Sequence, residues 1–208
     1  MSTDPSSEPI PPVVTVFELY GAGADEVGRA VAQALGVEFH AQAFSSEALE
    51  EGDRDPAAQG AALAQVYTVM GGAYGGFDGR DVATTQRERY DLVMANNLAL
   101  WDLADRGGVI VGRNGAVVLA ERPRTVHVLL TGDVDDRVAR AARRAGISRE
   151  RAAARQKLED RVRAEMSVAL YGWDPHLPDR YDLVVNTSRI PLDRAVSTIV
   201  HAVAGGVR

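Results

Sequence analysis

The stretch Val13-Val14-Thr15-Val16-Phe17, then Glu18-Leu19-Tyr20-Gly21-Ala22-Gly23-Ala24-Asp25-Glu26, then Val27-Gly28-Arg29-Ala30-Val31-Ala32-Gln33-Ala34-Leu35-Gly36 decides the reading of this chain. Its first five residues are a continuous β-branched and aromatic run, the mark of a strand covered on both faces. A turn of small residues follows. The next segment places Val27, Ala30, Val31, Ala34 and Leu35 on one helical face and ends on Gly36, a residue suited to a left-handed cap. Strand, glycine turn and helix together form the frame of an anion cradle, because backbone N–H groups converge there at the positive end of the helix. Tyr20, Gly21, Ala22, Gly23, Ala24, Asp25 and Glu26 are the candidate cradle residues. The lysine usual in such a loop is missing.

The remaining chain supplies a sheet for this unit to join. Val37–His40 reads as a short strand, and Val109–Val111, Thr125–Leu130 and Tyr181–Val185 as three more. Helical patterns separate them, over about 133–145, 148–170 and 192–203. Strands alternating with helices imply a parallel sheet with right-handed crossovers and helices on both faces, five strands in all. Residues 1–12 read as a flexible tail and 13–208 as one domain. Within it, 44–106 lacks a strand: Ser46–Glu51 and Pro56–Met70 read as helices, and Gly71–Arg80 as a mobile loop with five glycines in ten residues. From Thr84, the spacing of Tyr90, Val93, Met94, Leu98, Trp101 and Ala104 predicts a core-facing helix.

With 208 residues, 46% hydrophobic and 25% charged, the chain is long enough to bury a core and has ordinary globular composition. Its formal charge of -6 argues against a nucleic-acid polymer as partner. The absence of cysteine excludes disulfides, thiolate metal sites and cysteine nucleophiles. The start has neither the basic nor the apolar region of a secretory signal, and no apolar run approaches the ~20 residues that span a bilayer. A cytoplasmic protein with no membrane partner is the expectation.

Ligands of parallel sheets sit beyond the carboxyl ends of the strands. There Gly112-Arg113-Asn114-Gly115 follows a core strand, so Gly112, Arg113 and Asn114 are candidates to hold a phosphate, with a surface turn as the alternative. Asp133 is placed to cap the helix that carries Arg137, Arg140 and Arg144. Arg151, Arg155, Arg161 and Arg163 follow, and this concentration reads either as an anion site under a lid or as a solvated basic face. The four histidines show no metal-ligand spacing, and His127, inside a strand, reads as a hydrogen-bonded structural residue. No metal site is expected from side chains. No nucleophile elbow of the Gly-x-Ser-x-Gly kind is present.

Tyr20-Gly21-Ala22-Gly23-Ala24, Val109–Gly115, Val126–Arg144, Tyr171-Gly172-Trp173-Asp174 and Tyr181–Thr187 occur in an order that resembles the cytidylate kinase-like family of P-loop nucleoside monophosphate kinases. The resemblance implies a five-stranded kinase core with a helical monophosphate-binding insertion over 44–106 and a lid-like segment over 146–180. It implies transfer of a phosphoryl group from ATP to CMP or dCMP with Mg²⁺, or, on an eroded site, a nucleotide-binding or regulatory protein of the same fold. By position, Gly21 and Gly23 with nearby amides would cradle donor phosphates, and Arg113 would grip the acceptor phosphate. Arg137, Arg161 and Arg163 would supply catalytic cations around the transferring group. The sequence departs from the full phosphate-loop pattern: Glu18, Ala24 and Glu26 stand where the opening glycine, the lysine and the hydroxyl belong. In the lid, Met166, Val168 and Leu170 occupy places where family members often carry tyrosine, arginine and phenylalanine.

Overall fold

The structure is a computed structural model and describes residues 9–54 and 82–206. Most of the expected tail, the helix over Pro56–Met70 and the glycine loop Gly71–Arg80 lie outside these residues.

Five strands form one parallel sheet: β1 (Val13–Glu18), β2 (Glu38–His40), β3 (Gly108–Val111), β4 (Thr125–Thr131) and β5 (Leu183–Asn186). Their order is β2-β3-β1-β4-β5, so β1 is central and its neighbours are β3 and β4. The helices are α1 (Ala24–Leu35), α2 (Ser46–Arg54), α3 (Val82–Arg106), α4 (Gly115–Val118), α5 (Val134–Ala145), α6 (Arg149–Tyr171) and α7 (Leu192–Gly205).

Alternation along β1 feeds two cores. Val14 and Val16 pack with Val27 and Val31 of α1 and Ala195 and Ile199 of α7. Val13 and Ile110 pack on the other face with Leu100 and Ala104 of α3 and with Leu119. The β-branched run that opens β1, Val13 to Val16, suits this double coverage. Gly36 caps α1 at φ 67°, and the Asp133 carboxylate caps α5 by accepting from the amide of Asp135 at 2.9 Å.

Two expectations change. The α3 face expected to meet the core is mostly turned outward: Tyr90, Leu98 and Trp101 are 63%, 66% and 41% exposed, whereas Ala104 of that face is buried as expected and so is Leu100, which lies outside it. The helix carries apolar residues around much of its circumference, so periodicity did not single out the stripe that meets the sheet. The last strand begins at Leu183 rather than Tyr181, because the Tyr181 amide closes a 3₁₀ turn over Pro178–Arg180.

His127 is buried on β4, and its Nδ1 lies 2.7 Å from Thr15 Oγ1 on β1, the structural role expected for it.

Candidate functional site

The loop between β1 and α1 has the predicted turn, but its amides are already engaged. Gly23 sits at φ 101° immediately before α1, and the N–H groups of Gly23 and Ala24 both donate to Glu18 Oε2, at 3.0 and 2.9 Å. A carboxylate from the end of β1 thus fills the place that convergent amides offer an anion. Burial pushes the Glu18 carboxyl up, while the two amides and the Arg163 guanidinium favour its charged form and Glu159 opposes it.

The loop is clamped from behind. A Cβ on Gly21, at φ 81°, would lie 2.3 Å from the carbonyl oxygen of Arg137, so only glycine fits against α5. Tyr20 N–H donates to Asp160 Oδ1 of α6 at 2.7 Å. Arg137, 3% exposed, donates to the carbonyls of Gly132 and Tyr20 and to Asp160 Oδ2, each at 3.0 Å. Its guanidinium is therefore engaged within the fold.

A cavity of about 450 Å³ opens on this loop, with Glu18, Gly21, Gly23, Asp25 and Glu26 in its lining. The arginines that line it all have partners inside the chain. Arg140 donates to the carbonyls of Gly21 and Thr187, Arg144 pairs with Asp25, and Arg155 pairs with Glu47 and Glu50. Arg163 pairs with Glu159 at 2.6 Å and donates to Gln42 Oε1. Arg161 is absent from this lining and lies 3.5 Å from Asp53.

Beyond β3 the turn is different. Gly112, Arg113 and Asn114 follow one another at φ 74°, 58° and 56°, an unusual run of left-handed residues. The Asn96 amide steadies it by donating to the Arg113 carbonyl at 3.0 Å, and Asn114 Oδ1 accepts from Ser167 at 2.5 Å. Arg113 lines a second cavity, of about 210 Å³, with Phe17, Leu92, Met166 and Leu170 among its walls. Its Nε is buried without a hydrogen-bond partner among the described residues, and burial holds the guanidinium below the usual arginine range. Gln42, Phe44 and Arg163 line both cavities, so Arg163 stands on their common wall.

The structure therefore brings Tyr20–Glu26, Arg113 and Arg163 to the carboxyl edge of the sheet, with Arg137 behind the loop and Arg161 outside both linings. Sequence reading missed Asn96, Ser167, Glu159 and Asp160, which steady this site. Tyr171 had a signal in the Tyr-Gly-x-x-Asp segment; its hydroxyl is shared between Asn96 at 2.7 Å and Asn97 at 2.9 Å.

The amide seat that would hold the donor phosphates of ATP is filled by Glu18, and lysine is absent from the loop. In this arrangement the loop does not fit a triphosphate donor. Among the described residues no helix is long and apolar enough to cross a membrane.

The sheet order, the glycine turn after its central strand and the paired cavities define a P-loop kinase fold. The chain belongs to the Cytidylate kinase-like family, whose profile matches residues 13–189. It is 35% identical over 137 residues, 60% of this chain and 26% of that protein, to a uronate isomerase of Corynebacterium glutamicum. It is 34% identical over 96 residues, 46% of this chain and 56% of that protein, to a cytidylate kinase of Ignicoccus hospitalis. The chain thus spans about a quarter and just over half of these curated relatives. The crystal structure of an uncharacterized protein from Eubacterium ventriosum shares the fold, with TM-score 0.64 and 17% identity over 93% of this chain and 98% of the other.

Proposed function

We propose that this protein binds a nucleoside monophosphate, CMP or dCMP, with the phosphate on Arg113. The observation that carries this reading is the Arg113 guanidinium: half-buried, lining a cavity, and with its Nε unpartnered among the described residues. A desolvated cation without an internal anion favours an incoming one, and the planar guanidinium suits phosphate oxygens. The backbone strain at Arg113 belongs to the same picture, since such strain persists where surrounding contacts enforce it. The family and the cytidylate kinase relative support a cytidine nucleotide. On this reading 44–106 is the monophosphate-binding insertion and 146–180 the lid.

Phosphoryl transfer from ATP with Mg²⁺ to that acceptor is the second reading, favoured by the family and by Arg163 on the wall common to both cavities. Against it stands the Glu18 carboxylate in the loop. Calorimetric titration with CMP, dCMP, UMP and AMP tests the first reading: saturable heat with CMP or dCMP is expected, and its absence from folded protein would overturn it. A coupled ADP-release assay with ATP, Mg²⁺ and the same monophosphates tests the second; rates at background sink it.

A further inference from the structure

The loop-side cavity differs from the Arg113 cavity in one decisive respect: its anion seat is filled from within. Glu18 reaches from the last position of β1 to the amides of Gly23 and Ala24, and both N–H groups point at the same oxygen, Oε2. Two amides converging on one oxygen at 3.0 and 2.9 Å are the contacts that a glycine turn at a helix start otherwise gives a phosphate. The surrounding cations reinforce the closure. Arg140 is held by the carbonyls of Gly21 and Thr187, Arg144 by Asp25, and Arg163 by Glu159 and Gln42. Glu26 and Glu159 also line the cavity, so an entering polyanion meets like charge beside an occupied seat.

From this we infer that Glu18 is an internal stand-in for a donor phosphate, and that a nucleoside triphosphate enters the loop only by displacing its carboxylate. The same residue then acts as a specificity determinant: it leaves the molecule open to a monophosphate at Arg113 and closed to a triphosphate at the loop. The inference rests on the nucleotide-site reading of the cleft, though its test does not require CMP to bind. A purely structural alternative treats Glu18 as a cap for α1, satisfying two of the amides a helix start leaves unpaired. The two accounts differ in what removal of the carboxylate does to polyphosphate affinity.

The experiment is calorimetric titration of the full chain, wild type, Glu18→Gln and Glu18→Ala, with ATP and with inorganic tripolyphosphate, each with and without Mg²⁺. Glu18→Ala empties the seat and is expected to bind both probes at least tenfold more tightly than wild type. Glu18→Gln removes the charge but keeps an acceptor oxygen, so its gain should be smaller. Thermal unfolding of each variant establishes that it is folded, and the Gln variant preserves the test where the Ala variant fails to fold. Equal affinities across folded variants, with or without lowered stability, would leave only the cap and overturn the inference. Tight ATP binding by wild type, unchanged in the variants, would overturn it equally. CMP titrated into wild type reads the Arg113 proposal separately, so failure of one is distinguishable from failure of the other.

Discussion

Arg113 holds φ at 58° while keeping a guanidinium buried beside apolar walls, two unfavourable conditions at one residue. A non-glycine residue in that region costs on the order of 1–3 kcal/mol. Glycine there relieves the strain and the desolvated charge, at the cost of a more flexible unfolded chain. Arg113→Gly should therefore raise stability by about 1 kcal/mol in urea denaturation while CMP affinity falls at least tenfold. A loss of stability would show that the arginine contributes more by packing than it costs. His127 makes the residue-scale prediction for pH. Burial lowers its pKa, with the Asp182 carboxylate and the Leu119 carbonyl opposing, and Thr15 hydroxyl on its Nδ1. The folded state resists protonating it, so the unfolded chain binds more protons below the ordinary value of ~6.5 and stability falls as pH drops. Urea midpoints at pH 7.5 and 5.5 should differ in that direction, and His127→Gln should reduce the difference. His40, lowered by burial as well, will keep part of the slope.

At the level of elements, α6 is the part that organises the site. Its Asp160 holds both the Tyr20 amide and Arg137, its Arg155 is locked to Glu50 and Glu47 of α2, and its Arg163 reaches both cavities. The Glu50 carboxyl is held down at about 2, first by the Arg151 bond against burial and with Arg155 adding to it. Arginines concentrated between 137 and 163 could be read as an anion site or as a basic face; several are instead internal partners, which composition does not reveal. Asp160→Ala should cost ~3–5 kcal/mol in urea denaturation, because Arg137 would remain charged and buried without its carboxylate. The exposed pair Arg106–Asp102 on α3 is the contrast: Asp102→Ala should change stability by less than ~1 kcal/mol.

For the whole molecule, the acceptor site proposed between sheet edge and α6 would couple ligand binding to global stability. CMP at a hundred times its dissociation constant should add about 2.7 kcal/mol. For a chain of this size that corresponds to a rise of roughly 5–10 °C in unfolding temperature, read by differential scanning fluorimetry. Nucleotides that the Arg113 cavity rejects should leave the midpoint unmoved at the same concentration. The prediction concerns the Arg113 cavity alone, since Glu18 occupies the loop amides.

Strand runs, the glycine cap at Gly36, the Asp133 cap and the ordered family motifs were legible because each depends on neighbours a few residues away. The sequence by itself therefore determined the α/β class, the parallel sheet and the turns at its carboxyl edge. It did not determine which stripe of α3 is buried, because several of its faces are apolar and only the sheet selects one. Nor did it decide the fate of the charges. Tyr20 and Asp160 meet across 140 positions, so the clamp on the loop exists only once α6 has packed. Glu18 and Gly23 are five positions apart, yet the turn's left-handed geometry is what aims both amides at one carboxylate oxygen. The opening stretch thus specified a cradle from local chemistry. Tertiary structure decided that the cradle holds the chain's own carboxylate while Arg113 Nε stays unpartnered among the described residues, because burial and long-range packing determine which charges meet.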